Sequence, residues 1–203
     1  ESRLTIPDAP ELKGHHATIV EKSAQSTAVS FGFPIDTIRS SDDWTALWLV
    51  RSYFGEHRSS NSFLYQRIRQ IRGMNYGDYA YIEYFPRGMY QTKPDANLGR
   101  SEQIFQIWLR PLRSNNDAHF ATRVAQYELD KLIENGMSKE DFESTRSFLT
   151  NFVPQMVASQ DRQLGYALDS KFYNTDEFVA YVRKQLASLT VEDVNRVIRD
   201  NLQ

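Results

Sequence analysis

The chain contains no cysteine. That absence removes disulfides, thiolate nucleophiles and cysteine metal sites together, and it leaves the compartment open. No apolar run approaches the ~20 residues of a membrane-spanning helix. An excess of one charge is missing too: 24 Lys+Arg stand against 26 Asp+Glu, a formal net charge of −2, so no strong attraction to nucleic acid or anionic lipid is expected. There is no G-x-S-x-G elbow, no G-x-G-x-x-G turn and no P-loop lysine, which leaves a nucleophilic serine and nucleotide phosphates without their usual settings. The four histidines, His15, His16, His57 and His119, include no i, i+4 pair, so no helix face offers two imidazoles to a metal ion.

The nearest approach to a metal motif is Tyr53–His57, YFGEH. An inverted zincin motif reads H-x-x-E-H, with two histidines on zinc and the glutamate activating water. Here Tyr53 stands where the first histidine belongs, and Gly55 ends the helix ahead of Glu56 and His57. Polar residues at a helix end are the better reading.

What is present is an ordinary globular composition, 40% hydrophobic and 25% charged over 203 residues, enough for one sizeable core. Residues 1–15, with Pro7, Pro10 and Gly14, read as an interdomain linker within a longer protein, and residues 16–203 as one domain. Strands are expected at His16–Glu21, Thr27–Ile35, Tyr76–Phe85 and Gln103–Leu109, the last ended by Pro111. Ser40 or Ser41 can cap a helix over Asp42–Phe54, and another starts near Ser59–Asn61. Pro86 and Gly88 make a turn, followed by loop to Arg100. Helices then follow one another: Asp117–Asn135 with Gly136 as stop, one capped by Ser138 and Asp141 and broken or kinked at Pro154, Gln155–Tyr173, one capped by Asn174 with Glu177 and ending at Ser188, and Val191–Leu202 capped by Thr190 with Asp193. Strands mixed with helices, then helices in a row, give an α+β fold: a mostly antiparallel sheet with helices packed on one face.

The most informative stretch is Asn61–Tyr79, NSFLYQRIRQIRGMNYGDY. Leu64, Ile68 and Ile71 fall on one helical face, and Gly73 stops the helix. Arg67, Arg69 and Arg72 interrupt that face. Tyr76 follows Arg69 by seven positions across a helix–strand junction, so a guanidinium and a phenol can meet at the end of a sheet and bind a carbonyl or carboxylate oxygen. Taken without further context, a solvated arginine and a rim tyrosine are the simpler reading. Tyr79, Tyr81, Tyr84 and Phe85 suit strand packing on propensity alone.

The segment Leu64–Tyr76, with R-x-x-R-G-M-x-Y at Arg69–Tyr76, resembles the metal-free homologous domain of the pitrilysin/insulinase-type zinc metallopeptidases and the related mitochondrial processing peptidase subunits. Asp43–Gly55 (DWTALWLVRSYFG), Asn135–Phe142 (NGMSKEDF) and Ser188–Leu202 (SLTVEDVNRVIRDNL) resemble three further helices of that domain, in the same order. The resemblance implies the processing-peptidase half-domain fold and a clam-shell of two homologous halves. The other half, fused N-terminally or a separate subunit, would carry H-x-x-E-H and a distal glutamate on zinc. This half would hold no cofactor, and it would supply Arg69 to a substrate carbonyl or carboxylate and Tyr76 to the oxyanion of the tetrahedral intermediate. The implied substrate is an extended peptide, added as a strand to a sheet edge of the zinc-bearing half. By itself the chain would not hydrolyse peptides. A structural or assembly module of the same fold is the rival reading. Bacterial members of the family suggest the envelope or periplasm; the residues themselves do not name a compartment.

Overall fold

The computed structural model describes residues 11–56, 62–83, 95, 96, 99, 100 and 102–203. The expectations for residues 1–10, His57, Tyr84, Phe85, Pro86 and Gly88 lie outside the described residues. Among the described residues three strands, β1 (Thr27–Ile35), β2 (Gly77–Tyr81) and β3 (Gln103–Leu112), form an antiparallel sheet in the order β1-β3-β2. Between β1 and β2 lie α1 (Trp44–Gly55) and a π-helix (Tyr65–Gln70). After β3 come α2 (Asn115–Asn135), α3 (Lys139–Met156), α4 (Gln160–Tyr173), α5 (Phe178–Ser188) and α6 (Val191–Asn201). The architecture is α+β, as expected.

The side-chain alternation of β3 decides which face is covered. Phe105, Ile107 and Leu109 point into the core and are fully buried, while Ile104, Gln106 and Trp108 between them are only half-buried, the period-2 pattern of a sheet packed on one face. Helix α1 lies behind that face and is buried almost all round: Trp44 stacks on Trp48 with centroids 5.7 Å apart, and Leu47, Leu49, Val50 and Phe54 fill the remaining sides. A helix apolar all round belongs in a core, and α3, α5, α6 and β2 enclose this one. It comes close against the sheet at Gly55, where a Cβ would lie 2.4 Å from the Ala80 backbone nitrogen. Gly55→Ala should therefore push α1 away from β2 and destabilise the chain by about 1–3 kcal/mol in urea unfolding, the usual cost of overpacking; a stability equal to the parent's would show that this contact gives way freely.

Several expected elements change. His16–Glu21 forms no strand and is exposed throughout: β-propensity expresses itself only against a paired neighbour, and this segment has none among the described residues. β3 runs through Pro111 to Leu112, because the pairing with β1 is irregular between Thr27 and Val29, opposite that proline, and a break in the ladder is where a strand tolerates a missing N–H. α3 runs through Pro154 to Met156, since so near the helix end little of the hydrogen-bond ladder is lost. α4 then starts at Gln160 rather than Gln155. Ser41 does not cap α1; its hydroxyl accepts from Ile38 N at 3.1 Å, inside the preceding turn. Asn174 ends α4 in the left-handed region, φ 54°, and Glu177 alone caps α5, its carboxylate accepting from Val179 N and Ala180 N at 3.2 and 3.0 Å. Thr190 and Asp193 do make the expected reciprocal capping box on α6.

Candidate functional site

The stretch Tyr65–Gln70 is wound as a π-helix rather than the expected α-helix. Its closing bond, Ile71 N to Gln66 O at 3.0 Å, reaches back five residues. Each turn is wider, so residues beyond Ile68 rotate off the apolar face. Leu64 and Ile68 stay fully buried, but Ile71, expected on the same face, is 63% exposed. The helix ends at Gly73, φ +58°, a conformation that side chains other than glycine's rarely adopt. Gly73 N reaches Arg69 O at 2.7 Å and Met74 N reaches Ile68 O at 3.2 Å. Both bonds span one residue more than in the usual glycine-terminated α-helix, the same expansion carried through to the stop.

The three arginines of this helix go to three different places. Arg67 lies 3.3 Å from the buried Glu128 of α2 and over the Phe63 ring at 5.0 Å, so it pins the helix to α2. Arg72 turns back to Arg67 O at 2.5 Å. Arg69 alone meets the tyrosine seven residues on: its guanidinium carbon sits 4.5 Å from the Tyr76 ring centroid, and its Nη1 donates to Tyr76 O at 3.0 Å. Tyr65, one turn earlier, has its ring centroid 5.1 Å from the same guanidinium carbon. The interval from the sequence joins Arg69 with Tyr76 only; the i, i+4 spacing of Tyr65 and Arg69 is the signal that points to the second ring. Tyr76 is 47% exposed and stands at the mouth of β2, whose Tyr79 and Tyr81 are buried and stacked at 5.9 Å, as packing residues should be.

Beneath this turn is a carboxyl group that the sequence reading did not single out. Asp78 is fully buried on the core side of β2, opposite Leu109. Asn75 Nδ2 donates to Asp78 Oδ1 at 2.5 Å and to Gly77 O at 3.2 Å. Burial pushes the carboxyl up to about 7, against the opposing pull of the Asn75 bond and the Arg69 charge.

The near-zincin residues are spent structurally. Glu56 is buried and paired with Arg51 at 2.5 Å, while Arg51 also donates to Ala80 O at 2.7 Å. Burial raises the Glu56 carboxyl and Arg51 holds it back. Tyr53 points instead to Asp141 at 3.5 Å. His16 contacts Lys13 O at 2.8 Å, and His15, His16 and His119 are exposed. Among the described residues no group of three or more His, Asp or Glu stands close enough to hold a metal ion, so these residues do not fit a zinc site.

No family model matches the sequence, and no curated protein sequence does. Solved structures do. A protease from Helicobacter pylori superposes with a TM-score of 0.71 at 14% identity, over 90% of this chain and 40% of that one. The peptidase M16 inactive domain from Pseudomonas fluorescens superposes with a TM-score of 0.65 at 18% identity, over 88% of this chain and 38% of that one. The chain has the fold of an M16 peptidase inactive domain. It spans about two fifths of the length of these two relatives. A chain of complex III from Candida albicans superposes too, with a TM-score of 0.63 at 9% identity, over 89% of this chain and 41% of that one. Fold alone therefore leaves open what the Arg69–Tyr76 turn does.

Proposed function

We propose that this chain is the non-catalytic half of a zinc metallopeptidase. It closes a chamber opposite a zinc-bearing homologous half, which is joined to it or is a separate subunit, and it contributes Arg69 and Tyr76 to the binding of an extended peptide. The observation that supports this reading best is a half-exposed phenol and a guanidinium held 4.5 Å apart on one glycine-terminated turn, in the fold of an M16 inactive domain. A guanidinium that contacts two rings and donates to Tyr76 O is already held in place before any ligand arrives, which lowers the entropic cost of holding a peptide oxygen. Tyr76 can donate its O–H to an oxygen that gains charge during hydrolysis. Zinc, on this reading, belongs to the other half and supplies the activated water there.

The rival, an assembly module without a part in proteolysis, has one observation in its favour: the same fold occurs in a respiratory complex. Mixing decides between them. The purified chain is combined with a homologous half bearing H-x-x-E-H, and cleavage of an unstructured fluorogenic peptide is followed. Neither half alone should cleave it, and the mixture with zinc should. Stable association without cleavage would favour the assembly module.

A further inference from the structure

Glu128 interrupts the buried face of α2. Ala118, Ala121, Ala125, Leu129 and Leu132 turn that face inward, and a glutamate in such company is almost never buried unless it is paired. Its pairing is half complete. Oε1 lies 3.3 Å from Arg67 Nε, while Oε2 is buried and has no hydrogen-bond partner among the described residues. The side chain is 8% exposed, so bulk water does little to offset the unsatisfied oxygen.

The same side chain lines a cavity of about 150 Å³. α1 contributes Tyr53 and Phe54, the approach to the π-helix contributes Phe63, and α2 contributes Glu128 and Leu132, one turn apart. The Tyr53 and Phe63 rings are tilted with centroids 5.5 Å apart. The exposed Lys131 and Asn135 form the rim. Arg67, which takes Oε1, lies outside this lining, so Oε2 is the oxygen left to the cavity.

Charge and size decide what fits. Arg67 and the rim Lys131 balance Glu128 and Asp141, the carboxylate to which the Tyr53 hydroxyl is turned at 3.5 Å. A cationic ligand would meet Arg67 and Lys131, and an anionic one would meet Glu128. A neutral donor satisfies Oε2 without adding charge. A cavity of about this volume holds one benzene ring, and the rings of Tyr53 and Phe63 offer it aromatic contacts.

We propose that this cavity is a binding site for a phenol: one aromatic ring enclosed by Tyr53, Phe63 and Leu132, whose O–H donates to Glu128 Oε2. A free small phenol and the side chain of a tyrosine in a peptide bring the same chemistry to it. The proposal does not rest on the peptidase reading, since none of these residues belongs to the Arg69–Tyr76 turn.

The test uses the full chain and four probes, p-cresol, toluene, benzylamine and N-acetyltyrosinamide, followed by NMR at the Leu132 methyl and Phe63 ring resonances. p-Cresol should shift both saturably, with a Kd of about 1 mM, as expected of a small ligand that fits. Toluene, the same ring without the donor, should bind at least about tenfold more weakly, the worth of a hydrogen bond to a charged acceptor. Benzylamine should do no better than toluene. N-acetyltyrosinamide separates the sources: binding as tight as that of p-cresol would assign the site to a peptide's tyrosine, and its exclusion would assign it to a free phenol. Glu128→Gln keeps the volume and removes the charge, so it should weaken p-cresol by about fivefold and leave toluene unchanged. Asn135→Trp, at the exposed rim, should close the cavity and abolish p-cresol binding, and it serves if Glu128→Gln does not fold. Equal binding of p-cresol and toluene, tighter binding of benzylamine, p-cresol binding unaltered in either variant, or no saturable shift from a cavity that holds only water would each overturn the proposal.

Discussion

Replacing Arg39 by methionine should destabilise the chain by about 3–5 kcal/mol in urea unfolding, the usual penalty for removing one partner of a buried ion pair. Arg39 is 3% exposed and joins four separate pieces of chain. It donates to both oxygens of Glu83 at 2.8 Å, to Asp169 Oδ2 of α4 at 2.7 Å and to Asp95 O at 2.5 Å, with its guanidinium carbon 5.5 Å from the Tyr166 ring. Trp44 Nε1 reaches the same Glu83 Oε1 at 3.2 Å. Burial alone would lower the affinity of Arg39 for its proton; Glu83 and Asp169 outweigh burial and raise it. Methionine can fill much of the volume, but it leaves two buried carboxylates facing each other without a cation. Arg39→Lys should recover only part of the loss, because an ammonium cannot span Glu83 and Asp169 with the planar fork that makes these bonds. A loss below about 1 kcal/mol for Arg39→Met would mean that water or protons already offset the pair.

That network also marks where the sequence stops being readable. Arg39 and Asp169 are 130 residues apart, one after a strand and the other in a helix, and no local period connects them. Asp169 carries no local signal that would mark it as a partner of Arg39. By contrast, β1 was legible to the residue, since Thr27–Ile35 is rich in β-branched and aromatic residues. The buried face of α1 was legible from its tryptophans and leucines, and the box at Thr190 and Asp193 from its spacing alone. The π-winding at Tyr65–Gln70 was not, because Leu64, Ile68 and Ile71 satisfy an α-period and only the backbone bond from Ile71 N to Gln66 O shows where the turn widens. The Arg69–Tyr76 contact was legible as an interval; Asp78 beneath it was hidden as one more residue of the strand expected over Tyr76–Phe85. Sequence therefore shows the chemistry that local geometry brings together, and it misses buried charges whose partners arrive from distant elements.

In a reconstituted two-half enzyme, Tyr76→Phe should lower kcat by about 10²–10³-fold, near 3–4 kcal/mol, with KM little changed. The substitution isolates the hydroxyl. Phenylalanine keeps the ring that lies 4.5 Å from Arg69, and the Arg69 bond to the backbone carbonyl of residue 76 does not involve the side chain at all. The turn should therefore survive, and stability should change by less than about 0.5 kcal/mol, as for a substitution at a half-exposed site. A hydrogen bond made equally to substrate and transition state would appear in KM; one that strengthens as an oxygen becomes charged appears in kcat. Arg69→Ala should behave differently, because a cation that holds a peptide oxygen through the whole reaction contributes to binding first, so KM should rise more than kcat falls. The two variants thus read two roles from one turn. If Tyr76→Phe left turnover unchanged while Arg69→Ala weakened binding, the phenol would be a stacking platform for the arginine, and the charge on the oxyanion would have to be met entirely from the zinc-bearing half.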